Sequence, residues 1–285
     1  MAIQFTSHGK PIPNGNLLIV DGLNLAFRWK HQGRNDFEHD YIRTVQSLAK
    51  SYNCGEIVVL GDGGSNYRKE IYPEYKANRK ERYAEQTPEE AKEFEMFLAE
   101  FQTTMSALKR KGYLTLKYAG VEADDIAALI CQNREELGLD EIWLISSDKD
   151  WDLLVDPKIS RFSTVTRKET TVHNWDEHYD FDPSYFLTYK CLTGDKGDNV
   201  PGVDGVGPKR ATQLIEQYGD VFDIMASLPI DGRYKFIQNL NEFGSDGLEI
   251  GVKLMDLTYD VEGAVLGHGQ EIIGLVENYV SEDRL

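Results

Sequence analysis

"NLLIVDG", residues 16–22, is a short block of consecutive apolar residues closed by Asp-Gly. It is too short for a helix buried on all sides and shows no alternation. It therefore reads as a strand covered on both faces, as in a parallel sheet. Working outward, two more blocks repeat the pattern: "EIVVLGD" (56–62) and "EIWLISSD" (141–148). "YIRTVQSLAKSY" and "DDIAALICQNREELG" carry helical periodicity between them. Strands alternating with helices predict an α/β fold with a parallel sheet. Each strand leads into a carboxylate: Asp21, Asp62 and Asp148. Sites in open parallel sheets lie at the C-terminal edge, so these three acids are expected to converge there. One Asp after a strand is ordinary turn chemistry. Three out of three point to a shared site.

The bulk numbers set limits. The chain has 285 residues, 41% of them hydrophobic, which suits one large domain or a core with an appendage. The formal charge of -17 argues at first against a nucleic-acid partner. Its distribution reverses that. Residues 211–285 hold 4 Lys/Arg against 14 Asp/Glu, whereas residues 1–210 hold 27 against 34. If nine acids of the longer region share one metal site, its remainder is slightly basic, which permits a phosphate ligand without demanding one. No apolar run is long enough to cross a bilayer, and "MAIQFTSHGKPIPNG" lacks an apolar signal core, so an intracellular protein is expected. The three cysteines, without a C-x-x-C, read as buried free thiols rather than a zinc site or a disulfide framework.

The remaining acids fall in clusters. In "GVEADDIAALI", Glu122, Asp124 and Asp125 stand at a helix start, where the dipole favours them but their mutual repulsion calls for cations. In "SSDKDWDLL", Asp148 and Asp150 are expected on the same side of an extended stretch. Asp152 extends the pattern to D-x-D-x-D, but a calcium loop needs Gly and Glu where Leu153 and Ile159 stand. In "LTGDKGDNVPGVDGVGPKRATQLIEQYG" (192–219), Asp195 and Asp198 are spaced to share a face of a helical turn. Carboxylates without His or Cys suit Mg²⁺ or Mn²⁺ rather than zinc. Two such ions about 4 Å apart activate a water and stabilise the leaving oxygen in phosphodiester hydrolysis. Immediately after the acid pair, Gly205 and Gly207 give the Gly-hydrophobic-Gly spacing of a sharp turn. Its exposed N–H groups, with Lys209 and Arg210, would grip a duplex phosphate. The plainer alternative is a helix–helix connection.

Residues 67–82 carry six basic residues against three acidic ones, interleaved with Tyr67, Tyr72 and Tyr75. That mixture suits a single-strand channel, with cations on phosphates and rings stacked on bases. Thr87, Pro88 and Glu90 then form a capping box, and Phe94, Phe97, Leu98, Phe101, Met105 and Leu108 keep a helical stripe to about Gly112, predicting a core-facing helix.

"IVDGLNLAFR", "VVLGD", "PEYKANR", "GVEADD", "LISSDKDWDLL", "LTGDKGDNVPGVDGVGPKRA" and "FIQNLN" occur in this order over about residues 16–255. In this the chain resembles the 5′ nucleases of the flap-endonuclease family and is similar to the 5′-nuclease domain of bacterial DNA polymerase I. The resemblance implies a PIN-like (resolvase-like) α/β core over 1–180, with a helical arch at about 64–105. It implies a helix-hairpin-helix (SAM-fold-like) region for duplex DNA, with C-terminal helices, over 181–285. The implied activity is cutting of 5′ flaps and 5′ ends with two Mg²⁺, Mn²⁺ substituting, and with K⁺ as a candidate ligand of the hairpin. The implied partner is branched or 5′-flap DNA. The protein would work as a monomer in the cytoplasm (that of a bacterial host if phage-encoded), with no membrane and no organic cofactor. Carried over residue by residue, Asp21, Asp62, Glu122, Asp124, Asp125, Asp148, Asp150, Asp195 and Asp198 match the metal-binding acids. Lys76 and Arg79 match the bases that meet the scissile phosphate and join Asp148 and Asp150 as catalytic residues, with Tyr75 the aromatic beside them. Arg28, Gly205, Gly207, Lys209, Arg210 and Lys235 match DNA contacts.

The last thirty or so residues carry no motif; a partner-binding tail, a solubilising surface and a packed helix all stay open. A PIN-type ribonuclease for single-stranded RNA would need only about four acids and no hairpin. A DNA-binding protein that has lost catalysis would lack some of the ligands. A haloacid-type phosphatase needs a D-x-D-x-[TV] nucleophile motif where this chain has "DGLNL".

Overall fold

The computed structural model describes residues 14–79 and 85–282. The chain packs as two compact units: residues up to 65, 86–171 and 261 onward in one, 66–85 and 172–260 in the other.

The first unit is built on a six-stranded sheet in the order β3-β2-β1-β4-β5-β6. β1 (Asn16–Asp21), β2 (Glu56–Leu60), β3 (Leu114–Leu116), β4 (Glu141–Ile145) and β5 (Ile159–Ser163) are parallel, and β6 (Lys168–Thr170) closes one edge antiparallel. Leu17 to Val20 and Ile57 to Leu60 are all fully buried, as unalternating strands covered on both faces must be. Val20 lies beside Val59 and Ile145, so β1 and its two neighbours deliver their following residues to one edge.

Helices Gly22–Lys30, Glu38–Ser51 and Pro88–Arg110 cover one face through a cluster containing Trp29, Phe37, Tyr41, Phe97 and Phe101. The helix Pro88–Arg110 begins with both bonds of the expected capping box: the Glu90 amide donates to Thr87 Oγ1 (3.2 Å) and the Thr87 amide to Glu90 Oε2 (2.8 Å). From Phe97 onward the stretch expected as an arch is therefore core, because its aromatic stripe is buried there.

The final residues settle one open expectation. Helix Gly269–Glu282 buries Ile272, Val276 and Val280, and Tyr279 Oη accepts the Ile57 amide at 3.3 Å. Of the three readings of the C-terminus, the packed helix holds through residue 282. No described helix is long and apolar enough to cross a membrane. Cys54, Cys131 and Cys191 are buried and free, as expected, and burial pushes the Cys191 thiol up to about 12.

The second unit is helical. Phe186–Thr193, Pro208–Tyr218, Val221–Ser227 and Lys235–Met255, the last kinked at Gly244, enclose a cluster containing Cys191, Leu214, Ile224, Leu240 and Val252. Helix Asn66–Ile71 joins it through Arg68, which is 3% exposed and donates Nε to the Leu254 carbonyl at 2.8 Å. Arg68 is thus a structural cation, although the sequence places it in the basic tract.

Candidate active site and nucleic-acid interface

In the first unit the three strand-end acids meet at one sheet edge. Asp21 ends β1 and caps helix Gly22–Lys30, its Oδ1 accepting the Asn24 amide at 3.1 Å. Its Oδ2 accepts the Ser146 hydroxyl at 2.8 Å. Burial pushes the Asp21 carboxyl from 3.8 up to about 7; the charges of Asp148 and Asp62 add to this, while the bonds from Ser146 and Asn24 oppose it. Burial and the same Asp21 charge also raise the Tyr41 hydroxyl well above its usual range. Asp62 follows β2 and accepts the Gly64 amide at 2.8 Å. Glu122 precedes helix Ala123–Gln132 and, like Asp125, is 2% exposed. Asp124 on the same first turn accepts the Trp151 indole N–H at 2.6 Å.

The segment after β4 departs from expectation. Lys149–Leu154 is a 3₁₀ turn, not an extended stretch. Asp148 caps it by accepting the Asp150 amide at 3.0 Å, so the two acids are neighbours through a turn rather than through strand alternation. Ser146, which the sequence reading missed, ties the cluster together: its Oγ donates to Asp21 and accepts the Asp148 amide at 3.1 Å. Asp152 faces inward and forms a bidentate pair with Arg161 of β5, at 2.5 and 2.8 Å, with Arg161 also donating to the Ser146 carbonyl. Strand alternation puts Arg161 on the buried face with Ile159 and Ser163.

Among the described residues, no three His, Cys, Asp or Glu side chains stand in preformed metal-ligand geometry. The donor chemistry nevertheless fits a divalent cation. The acids at this edge offer oxygen alone, and Asp21 is held where its charge is costly unless a cation arrives. Beside the edge, Arg28, His31, Arg167, Asn24, Ser147 and Tyr52 help line a cavity of about 910 Å³.

In the second unit Asp195 and Asp198 lie in a turn bridged antiparallel from Asp195 to Val200, not on a helical turn. Asp195 Oδ1 accepts the Gly197 and Asp198 amides at 2.7 and 3.1 Å, which reproduces the spacing without a helix. Its Oδ2 meets Lys190 Nζ at 2.6 Å. Burial pushes the Asp195 carboxyl up, but the Lys190 ammonium and the two amide bonds outweigh it and hold the carboxyl below its usual range.

This turn is zipped to the 74–79 segment. The Lys76 amide donates to the Asp198 carbonyl (2.8 Å), Asn199 Nδ2 to the Glu74 carbonyl (2.8 Å) and Asn78 Nδ2 to the Lys196 carbonyl (2.9 Å). Asp198 Oδ1 takes Arg79 at 2.6 Å; Oδ2 takes the Tyr75 hydroxyl at 3.0 Å and faces Lys76 Nζ at 3.4 Å. Tyr75 is 4% exposed, so it cannot stack on a base without leaving the core. The stacking role expected for Tyr75 therefore fails, while Tyr67 is half-buried and its hydroxyl donates to Asp260 at 2.9 Å. Lys80 and Arg82 of the same basic tract lie outside the described residues.

The hairpin is formed. Gly205 has φ +77, which a side chain would strain, and Gly202 abuts the Thr193 carbonyl too closely for a Cβ. Gly207 precedes Pro208 as the N-cap of the following helix without a side-chain cap bond, and its Cβ position is open space. Lys209 is exposed there. Arg210 donates to the Gly205 carbonyl and lies 4.9 Å over the Phe236 ring, so it braces the turn. Lys235 opens helix Lys235–Met255 and is exposed.

Residues 16–180 match the family model of the 5′-3′ exonuclease N-terminal resolvase-like domain, and residues 181–266 that of the 5′-3′ exonuclease C-terminal SAM fold. The chain is 44% identical over 262 residues to the flap endonuclease of Escherichia phage T5, covering 90% of this chain and 89% of that protein. It is 33% identical over 232 residues to DNA polymerase I of Rhizobium leguminosarum, covering 75% of this chain but only 22% of the polymerase. Among solved structures, the bacteriophage T5 flap endonuclease in a pseudo-enzyme-product complex with DNA and metal ions superposes with a TM-score of 0.86 at 40% identity, covering 94% of this chain and 98% of that one.

Proposed function

The chain belongs to the 5′-3′ exonuclease family, and from that premise we propose how its own residues cut branched DNA. It is a structure-specific 5′ nuclease, a metal-dependent hydrolase of phosphodiester bonds. The observation that carries the reading is the meeting of Asp21, Asp62 and Asp148 at the end of three adjacent strands. These acids, with Glu122, Asp124, Asp125 and Asp150, are proposed to hold divalent ions, and Asp195 and Asp198 of the second unit are proposed as further divalent-ion ligands. Two Mg²⁺, or Mn²⁺ in their place, would supply an activated water and neutralise charge on the phosphate.

The protein's own contribution is orientation. Ser146 fixes Asp21 against Asp148, and Trp151 fixes Asp124, as second-layer partners of metal ligands do. Lys76 and Arg79 are proposed to face the scissile phosphate, where a preorganised cation gains most as charge develops. Arg28, the Gly205–Gly207 hairpin with Lys209, and Lys235 are proposed to hold the DNA, the open amides at Pro208–Tyr218 meeting a backbone phosphate. K⁺ at the hairpin, action as a monomer and action in the cytoplasm complete the proposal; likeness to a phage enzyme supports the last.

A labelled 5′-flap duplex incubated with the protein is expected to be cut near the single-strand junction with Mg²⁺ and left intact with chelator. Cleavage of single-stranded RNA with the flap untouched would overturn the reading.

A further inference from the structure

Asp62 and Glu122 stand on two loops of the first unit that are laced together. Gly61 donates its amide to the Leu116 carbonyl at 2.8 Å, Gly63 to the Val121 carbonyl at 2.9 Å, and Gly120 to the Gly63 carbonyl at 2.8 Å. Both chain neighbours of Asp62 are therefore bonded to the segment that runs into Glu122. Tyr118 lies in the middle of this lacing. Its carbonyl accepts the Val121 amide at 3.2 Å and abuts Gly63, leaving no room there for a Cβ. Whatever holds Tyr118 thus holds the two acids in register.

What holds it comes from the end of the chain. The Tyr118 ring packs on the His268 imidazole, centroids 4.6 Å apart, and its hydroxyl donates to the Glu271 carboxylate. Glu271 Oε2 also faces His268 Nδ1 at 3.4 Å, so one carboxylate fastens both rings. Burial, and next the Glu271 charge, raise the Tyr118 hydroxyl above its usual range. The helix Gly269–Glu282 that presents Glu271 is itself fixed. Ile272, Val276 and Val280 are buried, and the Ile272 amide donates to the His268 carbonyl at 2.9 Å. Tyr279 ties the same helix to β2, the strand that leads into Asp62.

We propose that Glu271 is a positioning residue: with His268 it clamps Tyr118, and Tyr118 sets the spacing of the Asp62 and Glu122 carboxylates that receive a divalent ion. This rests on the reading that those two acids bind such an ion. A small divalent cation demands oxygen ligands near its own preferred distances. Carboxylates gathered without it repel one another, so unbraced loops relax apart and must be drawn back when the ion arrives. Holding them in register beforehand removes that cost from binding. The brace therefore acts on affinity for the ion and leaves the rate of the loaded enzyme alone.

The test is Mn²⁺ binding to the DNA-free protein, read from the electron paramagnetic resonance of the free ion, with melting in chelator measured alongside. Glu271→Ala should weaken Mn²⁺ binding about tenfold, the low end of losses for groups that orient metal ligands. The Mg²⁺ concentration for half-maximal flap cleavage should rise by a similar factor, with the rate at saturating Mg²⁺ within about twofold of the parent's. Glu271→Gln, which still accepts the Tyr118 hydroxyl, should restore Mn²⁺ affinity to within about twofold. Tyr118→Phe keeps the ring against His268 and loses only the donor; it should weaken binding about threefold, as for one modest hydrogen bond. Val45→Ala, at a fully buried site in helix Glu38–Ser51 of the same unit, serves as the control for instability. It should lower the melting temperature in chelator and leave Mn²⁺ affinity unchanged. Parent-like affinity in Glu271→Ala would overturn the proposal, as would equal losses in the Ala and Gln variants. A matching loss in Val45→Ala would make the effect one of general instability and overturn it too. Should Glu271→Ala not fold, Tyr118→Phe decides alone, and unchanged affinity there sinks the brace. A parent that binds no Mn²⁺ would instead remove the ligand reading beneath it.

Discussion

Asp21→Asn should make the chelated protein more stable at pH 8 and nearly inactive when metal is restored. Asn is nearly isosteric and caps a helix as well as Asp does, so the bond from the Asn24 amide survives. The Ser146 hydroxyl can rotate to meet the new amide. What disappears is a buried charge facing Asp148 and Asp62. The folded-state pKa of about 7 lies above the ordinary 3.8. The parent's stability from this group is therefore complete below about pH 4 and is lost as pH rises through 7, a change on the order of 4 kcal/mol. Asp21→Asn should flatten that dependence. In chelator its melting temperature should exceed the parent's by several degrees at pH 8 and match it at pH 4. With Mg²⁺ present, flap cleavage should fall by at least about 10³-fold, since a ligand that stabilises several kcal/mol of developing charge is gone. Equal melting at pH 8 would show that the buried charge costs the fold nothing, and cleavage within tenfold would show that Asp21 is not an essential ligand.

The second large effect is structural. Arg161 and Asp152 are 5% and 2% exposed and bidentate, and Arg161 also reaches the Ser146 carbonyl and Thr170 Oγ1. Removing one partner of such a pair leaves a buried charge uncompensated, at about 3–5 kcal/mol. Arg161→Met should cost that much in urea unfolding. Arg161→Met with Asp152→Leu, which removes both charges, should recover most of the loss. A single variant within 1 kcal/mol of the parent would contradict the account, and so would a double variant no better than the single. Because the pair pins the turn that carries Asp148 and Asp150 to β5, the destabilised variant should also lose activity.

These two experiments mark where the sequence was readable. The strands were legible because unbroken Ile/Val/Leu runs have few alternatives, and Asp21, Asp62 and Asp148 were legible because parallel strands deliver their ends to one edge. The capping box at Thr87 was legible because its bonds are local. Long-range partners were not. Nothing in "SSD" says that one serine bridges two acids, and nothing in "DWD" says that its last aspartate turns inward to an arginine nine residues on. Asp195 and Asp198 were misread as helical because an Asx turn and a helical turn share the same spacing. Tyr75 was misread because a tyrosine among cations looks alike whether its ring is offered to a base or its hydroxyl is spent on a carboxylate.

The central claim is that carboxylates gathered at one sheet edge bind divalent cations. Anomalous diffraction from a crystal soaked in Mn²⁺ tests it most directly. The account predicts Mn²⁺ peaks within ligand distance of Asp21, Asp62, Glu122, Asp124, Asp125, Asp148 and Asp150. The same acids without a peak among them would contradict it.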